Sequence, residues 1–357
     1  IERFGDRIAK LDERLAESLS HSSTLGTVAR DRCSLTEPLP LSRMPIGRDS
    51  EIGQLKEYLG DDATRMIRVL GRPGSGKTTL VSYVLSHAIK EGKNSLPDNW
   101  KIDGLVYLRC SAYGDRVAAR LLEKLDSLLT QLGISSVVTS AQASSFNEKI
   151  ALFSKATTNL NILVFLDNLE SIICVERQDE LLDPDLGCLF KEILLGQCNI
   201  RIVYTSQVNP KILLDSNFEP IEAIAPGRQR ALDLQTGLNA ERGVELLKQQ
   251  DPQGSLRLFD LPQLTLESVV CMVGGNPRAL EVIGGLLHSG QISLSEIDAL
   301  LSARTETVHF RELLSQLIGN YFQRLNNKEK QFLQALAVFG RPVAMGAIRF
   351  VLESCGS

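Results

Sequence analysis

The chain has 357 residues, of which 43% are hydrophobic and 23% are charged, and this composition is typical of a globular protein with two or three domains. The formal net charge of −4 gives no electrostatic reason to expect direct binding to nucleic acid or to an anionic membrane. No apolar run in the sequence reaches the roughly 20 residues of a membrane-spanning helix.

Residues 1–44 are predicted to form an N-terminal helix followed by a linker. Ile8, Leu11, Leu15 and Leu19 recur at helical spacing, which fits either a linker helix or the end of an upstream domain. Three prolines between residues 33 and 45 predict an extended linker. We expect the chain to be part of a longer protein.

Residues 45–225 alternate strand and helix signals, which predicts an α/β domain with a parallel sheet covered on both faces. An apolar run at 161–166 fits a strand that is buried on both faces. The other predicted strands are 66–70, 104–110 and 200–205, and the predicted helices are 77–88, 116–132, 147–158 and 186–195.

Strand signals fade after about residue 226, so residues 226–305 are predicted to form a helical domain, followed by a further domain over 306–357. Asn239 and Ser293 are candidate N-caps, because an Asn or Ser side chain can accept a hydrogen bond from the first helical turn. The predicted helices are 239–250, 264–272, 277–288, 293–302, 311–324 and 327–339.

The seven cysteines are scattered along the chain and form no C-x-x-C pair. This spacing indicates reduced, mostly buried thiols in a cytoplasmic protein and gives little support to a zinc site.

A phosphate-binding loop is the strongest motif, because residues 71–78 match G-x-x-x-x-G-K-[ST] between a predicted strand and a predicted helix. Glycines let the backbone curl around a phosphate, and the start of the helix favours an anion. Lys77 can reach the β- and γ-phosphates, and the Thr78 hydroxyl can ligate Mg²⁺. The predicted nucleotide ligands here are Gly71, Pro73, Gly74, Ser75, Gly76, Lys77, Thr78 and Thr79.

A candidate magnesium ligand follows the apolar strand at 163–166, where Asp167 stands at the strand end. Its carboxylate can hold Mg²⁺ opposite Thr78, directly or through water. ATP hydrolysis also needs a group that positions or deprotonates water. Asn168 cannot act as a base, whereas Glu170 is either that base or simply a surface acid or helix cap.

Two further polar positions have both a functional and a purely structural interpretation. Gln207 follows the strand at 200–205 and can contact a γ-phosphate, or it can simply end the strand. Pro277 stands at a predicted helix start, which is favourable stereochemistry without any function.

Four motifs in this order resemble the NB-ARC branch of the STAND nucleotide-switch ATPases, a group that includes plant disease-resistance receptors, apoptosis scaffolds and bacterial defence proteins. The resemblance covers roughly residues 45–340. The motifs are Ile46-Gly47-Arg48-Asp49, the phosphate loop, Leu166-Asp167-Asn168-Leu169-Glu170 and Gly275-Asn276-Pro277-Arg278-Ala279-Leu280.

The resemblance implies a P-loop domain with a three-layer parallel sheet, then a helical domain, then the start of a winged-helix domain at 306–357. It implies that Ile46, Gly47 and Arg48 contact adenine, that Pro277 packs near the nucleotide, and that the ligand is ATP or ADP with Mg²⁺. Lys77, Asp167 and Glu170 would then carry catalysis, with Thr78 and Asp167 at the metal.

The chain departs from the family pattern at three points. Gln207 stands where the family often has an arginine, and Asn168 stands where it has a second acid. The chain also ends before the family's Met-His-Asp motif, so we expect a weaker hold on ADP.

The function that the resemblance implies is a switch that hydrolyses ATP slowly and self-associates through its nucleotide-binding domain, with an upstream effector and a downstream sensor. No direct contact with nucleic acid or membrane is expected. The alternatives are an AAA+ motor or loader, an ATP-gated bacterial transcription regulator, and a scaffold that binds nucleotide without hydrolysis.

Overall fold

The computed structural model describes residues 33–40, 43–91, 102–134, 146–196, 199–214, 217–254, 256, 258–288, 319, 322–323 and 325–339. The apolar stripe at residues 8–19 and the predicted helix at 293–302, with its N-cap Ser293, lie outside these residues, and only three residues of the predicted helix at 311–324 are described.

Ten strands are found in the described part of the chain. They are β1 (Ser34–Leu35), β2 (Met66–Leu70), β3 (Gly104–Arg109), β4 (Ile162–Asp167), β5 (Ile173–Cys174), β6 (Glu180–Leu181), β7 (Ile200–Ser206), β8 (Lys211–Leu214), β9 (Asn217–Pro220) and β10 (Gln229–Asp233). Six of them form the main sheet in the order β1–β3–β4–β7–β2–β10, and every neighbouring pair is parallel.

The longer helices in the described residues are α1 (Asp49–Gly60), α2 (Lys77–Glu91), α3 (Val117–Gln131), α4 (Phe146–Ala156), α5 (Pro184–Leu195), α6 (Ala240–Gln249), α7 (Gln263–Met272), α8 (Pro277–His288) and α9 (Asn327–Phe339). Every residue of β4 and β7 is buried, because helices cover both faces of the sheet. The predicted α/β class with a parallel sheet is therefore confirmed.

The expectation that strands end near residue 226 is wrong. Strand β10 pairs with β2 in parallel, with Gln229 opposite Met66 and Asp233 opposite Leu70, so the main sheet extends past the predicted boundary at residue 225. Strand β1 likewise lies in the predicted linker and pairs with β3. A second, smaller sheet of β5, β6, β8 and β9 was also missed. Most of these strands are short, and strands of two to five residues carry little periodicity.

All six strands of the main sheet run in one direction, so their carboxyl ends share one edge of the sheet. Leu70 is paired with both Ser206 and Asp233 at that edge. The backbone N–H of Gly71 donates to the carbonyl oxygen of Ser206 at 3.2 Å. The segments that follow β2, β4 and β7 therefore meet here, which is where open α/β sheets bind ligands.

Helices α6, α7 and α8, called the helical region below, pack around their own apolar cluster, which includes Val244, Val270 and Leu280. Helix α6 has Asn239 as its N-cap, and the Asn239 side chain accepts from the N–H of Arg242 at 2.8 Å, as predicted. Helices α8 and α9 have the predicted bounds. Within the described ranges, no helix combines the length and apolarity needed to cross a membrane.

Candidate nucleotide-binding site

The phosphate loop, Gly71–Thr78, connects β2 to the first turn of α2. Gly74 and Gly76 have φ angles of +75° and +92°, which side chains with a Cβ rarely adopt. The loop is closed by a hydrogen bond of 3.2 Å from the N–H of Ser75 to the carbonyl oxygen of Arg72. Since α2 begins at Lys77, the N–H groups at its start lack partners within the helix, and this arrangement favours an anion.

Lys77 lies under this loop and is 8% exposed as a residue. It donates to the carbonyl oxygens of Gly71 at 2.7 Å and Arg72 at 3.0 Å, so two of its three donors are used. Burial lowers the pKa of Lys77, and the carboxylates of Glu170 and Asp167 oppose that shift. Both acids therefore act electrostatically on the lysine that would meet the phosphates.

Asp167, at the end of β4, is 5% exposed, and its Oδ1 accepts two hydroxyl hydrogen bonds. Thr78 donates over 2.6 Å and Thr205, on β7, donates over 2.7 Å. The Thr78 hydroxyl donates its hydrogen bond to Asp167, so its oxygen lone pairs remain available to a metal. Hydroxyl and carboxylate oxygens are hard donors that suit Mg²⁺, so these residues fit the predicted ion.

Glu170 lies in a short 3-10 helix directly after β4 and Asn168. Its Oε1 accepts from Gln207 Nε2 at 2.8 Å, while its Oε2 is buried and has no hydrogen-bond partner. Asn168 has a left-handed backbone, with φ of 64°, and its N–H donates to Thr205 Oγ1 at 2.9 Å. A buried carboxylate oxygen without a partner costs free energy, which indicates a place for water or ligand.

The Gly-Arg motif lies at the other end of the site. The guanidinium of Arg48 donates to Glu51 Oε1 at 2.6 Å and to the carbonyl oxygen of Thr236 at 2.9 Å. Gly47 has φ of +63°, and a Cβ there would lie 2.7 Å from Cγ of Arg242. These bonds commit two of the Arg48 nitrogens to Glu51 and Thr236, and the contact with adenine that the resemblance implied stays a prediction.

A cavity of about 450 Å³ opens between the sheet edge and the helical region, and this volume is in the range of small-molecule sites. Most of the predicted residues meet in its wall. They are Ile46, Arg48, Pro73, Gly74, Ser75, Gly76, Lys77, Thr78, Thr79, Glu170, Gln207 and Pro277. Gly47, Gly71 and Asp167 lie outside the lining, since Asp167 is behind Thr78 and Thr205.

The helical region touches the phosphate loop directly. Asn276 Nδ2 donates to the carbonyl oxygen of Pro73 at 2.9 Å, and the N–H of Arg278 donates to the carbonyl oxygen of Gly74 at 3.2 Å. Pro277, between them, is the first residue of α8 and lines the cavity.

Sequence reasoning missed three contributions to the site. Thr205 ends the predicted strand at 200–205, which gives it no role in the site, and its hydroxyl bonds Asp167. Asn276 and Arg278 belong to the fourth motif, in which the resemblance implies a role only for Pro277. The signal for Asn276 was present, since an Asn directly before Pro at a helix start is a typical N-cap. Leu234, Leu238 and Leu246 add an apolar wall that no motif marks.

The comparisons with known proteins agree with this geometry at the level of class. Residues 45–192, which contain the phosphate loop, Asp167 and Glu170, match the AAA ATPase domain family. Over these residues the chain is similar to AAA ATPase domains, while its assignment as an ATPase and the finer resemblance to NB-ARC switches stay predictions.

Individual relatives are distant. An uncharacterized WD repeat-containing protein of Nostoc sp. is 22% identical over 310 residues, which cover 85% of this chain but only 22% of that protein. Among solved structures, the Walker-type ATPase PABY2304 of Pyrococcus abyssi aligns with a TM-score of 0.47 and 15% identity, covering 89% of this chain and 91% of that one. Drosophila ORC bound to DNA aligns with a TM-score of 0.46 and 15% identity, covering 96% and 86%.

Proposed function

We propose that the chain is the ATP- or ADP-binding switch of a STAND-type signalling or defence protein. The observation that carries the proposal is that the segments leading into α6 and α8 contact the two ends of the cavity. Asn276 bonds Pro73 at the phosphate end, and Thr236, just before the helical region, accepts from Arg48 at the other end. A ligand in this cavity therefore contacts the sheet and the helical region together.

A nucleotide can shift a conformational balance only if it binds the two states with different affinity. The γ-phosphate is the group that distinguishes ATP from ADP. Gln207, Glu170 and Arg278 all line the cavity wall, and Arg278 belongs to the helical region. The charge of a γ-phosphate among these groups would therefore change the stability of the contact between the sheet and the helical region.

Slow ATP hydrolysis is part of the proposal. Magnesium, held by Thr78 and supported by Asp167, would neutralise phosphate charge, and Lys77 would bind the phosphates. Glu170 is the candidate base because its Oε2 is buried in the cavity wall without a partner. Gln207 carries no charge, so it would stabilise a transferring phosphate less than an arginine would.

The partners that we propose for the whole protein are those expected of a STAND-type protein. We propose self-association through the nucleotide-binding domain in the ATP state, an upstream effector and a downstream sensor, in the cytoplasm. WD repeats, as in the name of the Nostoc relative, are one form of sensor that such a protein could carry.

The test compares the purified chain loaded with ADP and with a non-hydrolysable ATP analogue, both with Mg²⁺. We expect ADP to co-purify with the protein, and we expect the ATP analogue to increase backbone amide exchange in α6–α8 and the molecular mass measured by light scattering. Lys77→Ala should carry no nucleotide and show neither effect. Identical exchange and mass with the two nucleotides would contradict the switch.

An AAA+ motor or loader is the second candidate, and the match of residues 45–192 to the AAA ATPase domain family favours it. A motor turns over continuously and needs a charged residue from a neighbouring subunit at the γ-phosphate. Steady-state hydrolysis that rises steeply with protein concentration or with added single-stranded DNA would favour this candidate. Slow hydrolysis with retained ADP would favour the switch.

A further inference from the structure

The side chain of Asn276 makes two hydrogen bonds in opposite directions. Its Oδ1 accepts from the N–H of Ala279 at 3.2 Å and so caps helix α8. Its Nδ2 donates to the carbonyl oxygen of Pro73 at 2.9 Å, across 203 positions of sequence. The partners determine this orientation, because an N–H can only donate and a carbonyl can only accept. An amide is the side-chain group of this size that can satisfy both.

The bond to Pro73 constrains the phosphate loop itself. In a planar trans peptide the carbonyl and the following N–H point in opposite directions. Holding the Pro73 carbonyl toward α8 therefore sets the direction of the Gly74 N–H. In the same way, the bond from the Arg278 N–H to the Gly74 carbonyl sets the direction of the Ser75 N–H. The Gly74 N–H is thereby aimed to meet a phosphate oxygen, whereas the Ser75 N–H donates to the carbonyl oxygen of Arg72 and closes the loop.

The contact is close and buried. Asn276 is 8% exposed. A Cβ at Gly74 would lie 2.7 Å from Cβ of Arg278 and 2.8 Å from Oδ1 of Asn276, so α8 can approach only because residue 74 is glycine. The phosphate loop and the start of α8 therefore form one packed unit.

We propose that Asn276 is a positioning residue for the β-phosphate site, and that it makes diphosphate affinity depend on where the helical region lies. The inference rests on the nucleotide binding proposed above. When α8 is docked, the loop carbonyls are held and the Gly74 N–H is preorganised for phosphate. When α8 moves away, this preorganisation is lost. Because such coupling is reciprocal, a bound diphosphate must also hold α8 in place.

Two variants separate the positioning role from the cap. Asn276→Ser and Asn276→Asp keep a side-chain oxygen that caps α8. Neither replaces the amide N–H that donates to Pro73, because a carboxylate has no hydrogen to donate and the serine side chain is shorter than that of asparagine. Asn239 provides the matched control, since it caps α6 and its described bond is to Arg242. The variants Asn239→Ser and Asn239→Asp change a cap of the same kind, away from the loop.

The measurement is the affinity of the full chain for ADP and for AMP, by calorimetry, with thermal unfolding followed in parallel. AMP shares the base and ribose but lacks the β-phosphate. We expect both Asn276 variants to bind ADP about tenfold more weakly, the effect of one buried hydrogen bond, and AMP within about twofold of wild type. The Asn239 variants should bind both nucleotides normally.

Equal weakening of ADP and AMP would overturn the inference, because it would mean that Asn276 merely supports the cavity wall. Unchanged ADP affinity in the Asn276 variants would also overturn it, while leaving the proposed function standing. A wild-type chain that binds no ADP would refute both. A chain whose ADP affinity depends on Asn276, but which shows no difference between ADP and ATP states, would refute the switch alone.

Amide exchange gives a second readout that a simple cap would not move. The N–H of Arg278 donates to the phosphate loop, so its exchange reports the docking of α8 on that loop. In wild type, we expect saturating ADP to slow exchange at the start of α8 more than saturating AMP does. In Asn276→Ser this difference should disappear, and its persistence would contradict the proposal.

Discussion

Thr78 Oγ1 donates to Asp167 Oδ1 over 2.6 Å, although 89 positions separate the two residues. This bond joins the phosphate loop to the end of β4 and orients the Thr78 lone pairs. Thr205 shares the same carboxylate oxygen from β7. Groups from α2, β4 and β7 thus converge on one buried acid.

Asp167→Ala should remove the magnesium dependence of nucleotide affinity, because it removes the acid that orients Thr78 and supports the metal. Nucleotide should still bind through the loop and Lys77. Calorimetry with ADP in Mg²⁺ and in EDTA measures the effect. The exposed Asp260 provides a control, and Asp260→Ala should keep the wild-type dependence. An Asp167→Ala variant whose affinity still rises with Mg²⁺ would place the metal elsewhere.

Thr205→Val should weaken magnesium–ATP binding about 3- to 10-fold and lower the free energy of unfolding by about 1 kcal/mol, the cost of losing buried hydrogen bonds. The Thr205 hydroxyl donates to Asp167 and accepts from the N–H of Asn168, and valine has nearly the same shape without either capacity. Thr158→Val, at an exposed position, is the control. Wild-type affinity in Thr205→Val would show that the loss of its bond to Asp167 is tolerated.

Lys77→Ala should reduce ADP and ATP affinity by at least about 100-fold, since the phosphates lose their nearest buried cation and the loop loses two internal bonds. The measurement is direct binding of a fluorescent ADP analogue. Lys248, which lies over the ring of Phe259 on the helical region, is a control of the same charge. Lys248→Ala should bind normally. Near-normal affinity in Lys77→Ala would refute the site.

Glu170→Gln should slow ATP turnover by about 100-fold or more, the usual contribution of a positioned general base. The glutamine is nearly isosteric and can still accept from Gln207. Asn168→Gly keeps the left-handed backbone of Asn168 and should change turnover much less. Single-turnover hydrolysis measures both variants with matched nucleotide occupancy. Slower turnover in Asn168→Gly than in Glu170→Gln would mean that Glu170 is not the base.

Asp183→Ala should lower the free energy of unfolding by about 2–3 kcal/mol, because it removes the acceptor for two helix starts at once. Asp183 is 3% exposed; it accepts from the N–H of Ala118 at 2.8 Å, beside the start of α3, and from the N–H of Leu186 at 3.2 Å in α5. Denaturant unfolding measures the change. Asp185→Ala, two residues away and exposed, should stay within about 0.5 kcal/mol.

The α/β class and most of the cavity wall could be predicted from the sequence. The phosphate loop is a local pattern, and Gly74 and Gly76 have the positive φ angles that the pattern implies. A strand such as β4 can be predicted from its apolar run, because burial on both faces of the sheet selects against polar residues. The positions of Asp167 and Gln207 then follow, since parallel strands end at the same edge.

The rest depended on contacts between distant segments. Strand β10 was missed because its five residues include exposed positions at the sheet border, which hide its register with β2. Arg48 lines the cavity, and its guanidinium bonds Glu51 and the Thr236 carbonyl, while its contact with adenine stays a prediction. Arg48 and Thr236 are 188 positions apart, so a local sequence pattern cannot show that they form a hydrogen bond.

What the sequence by itself determined is the chemistry available at the sheet edge: a loop that can curl around phosphate, a lysine, a hydroxyl and two acids. These follow from residue type and short spacing, which backbone sterics translate directly into local shape. Only the tertiary structure decided that α8 docks on the phosphate loop through Asn276 and that Glu170 pairs with Gln207. Such pairings result from how whole helices and strands pack, and packing depends on every buried side chain at once.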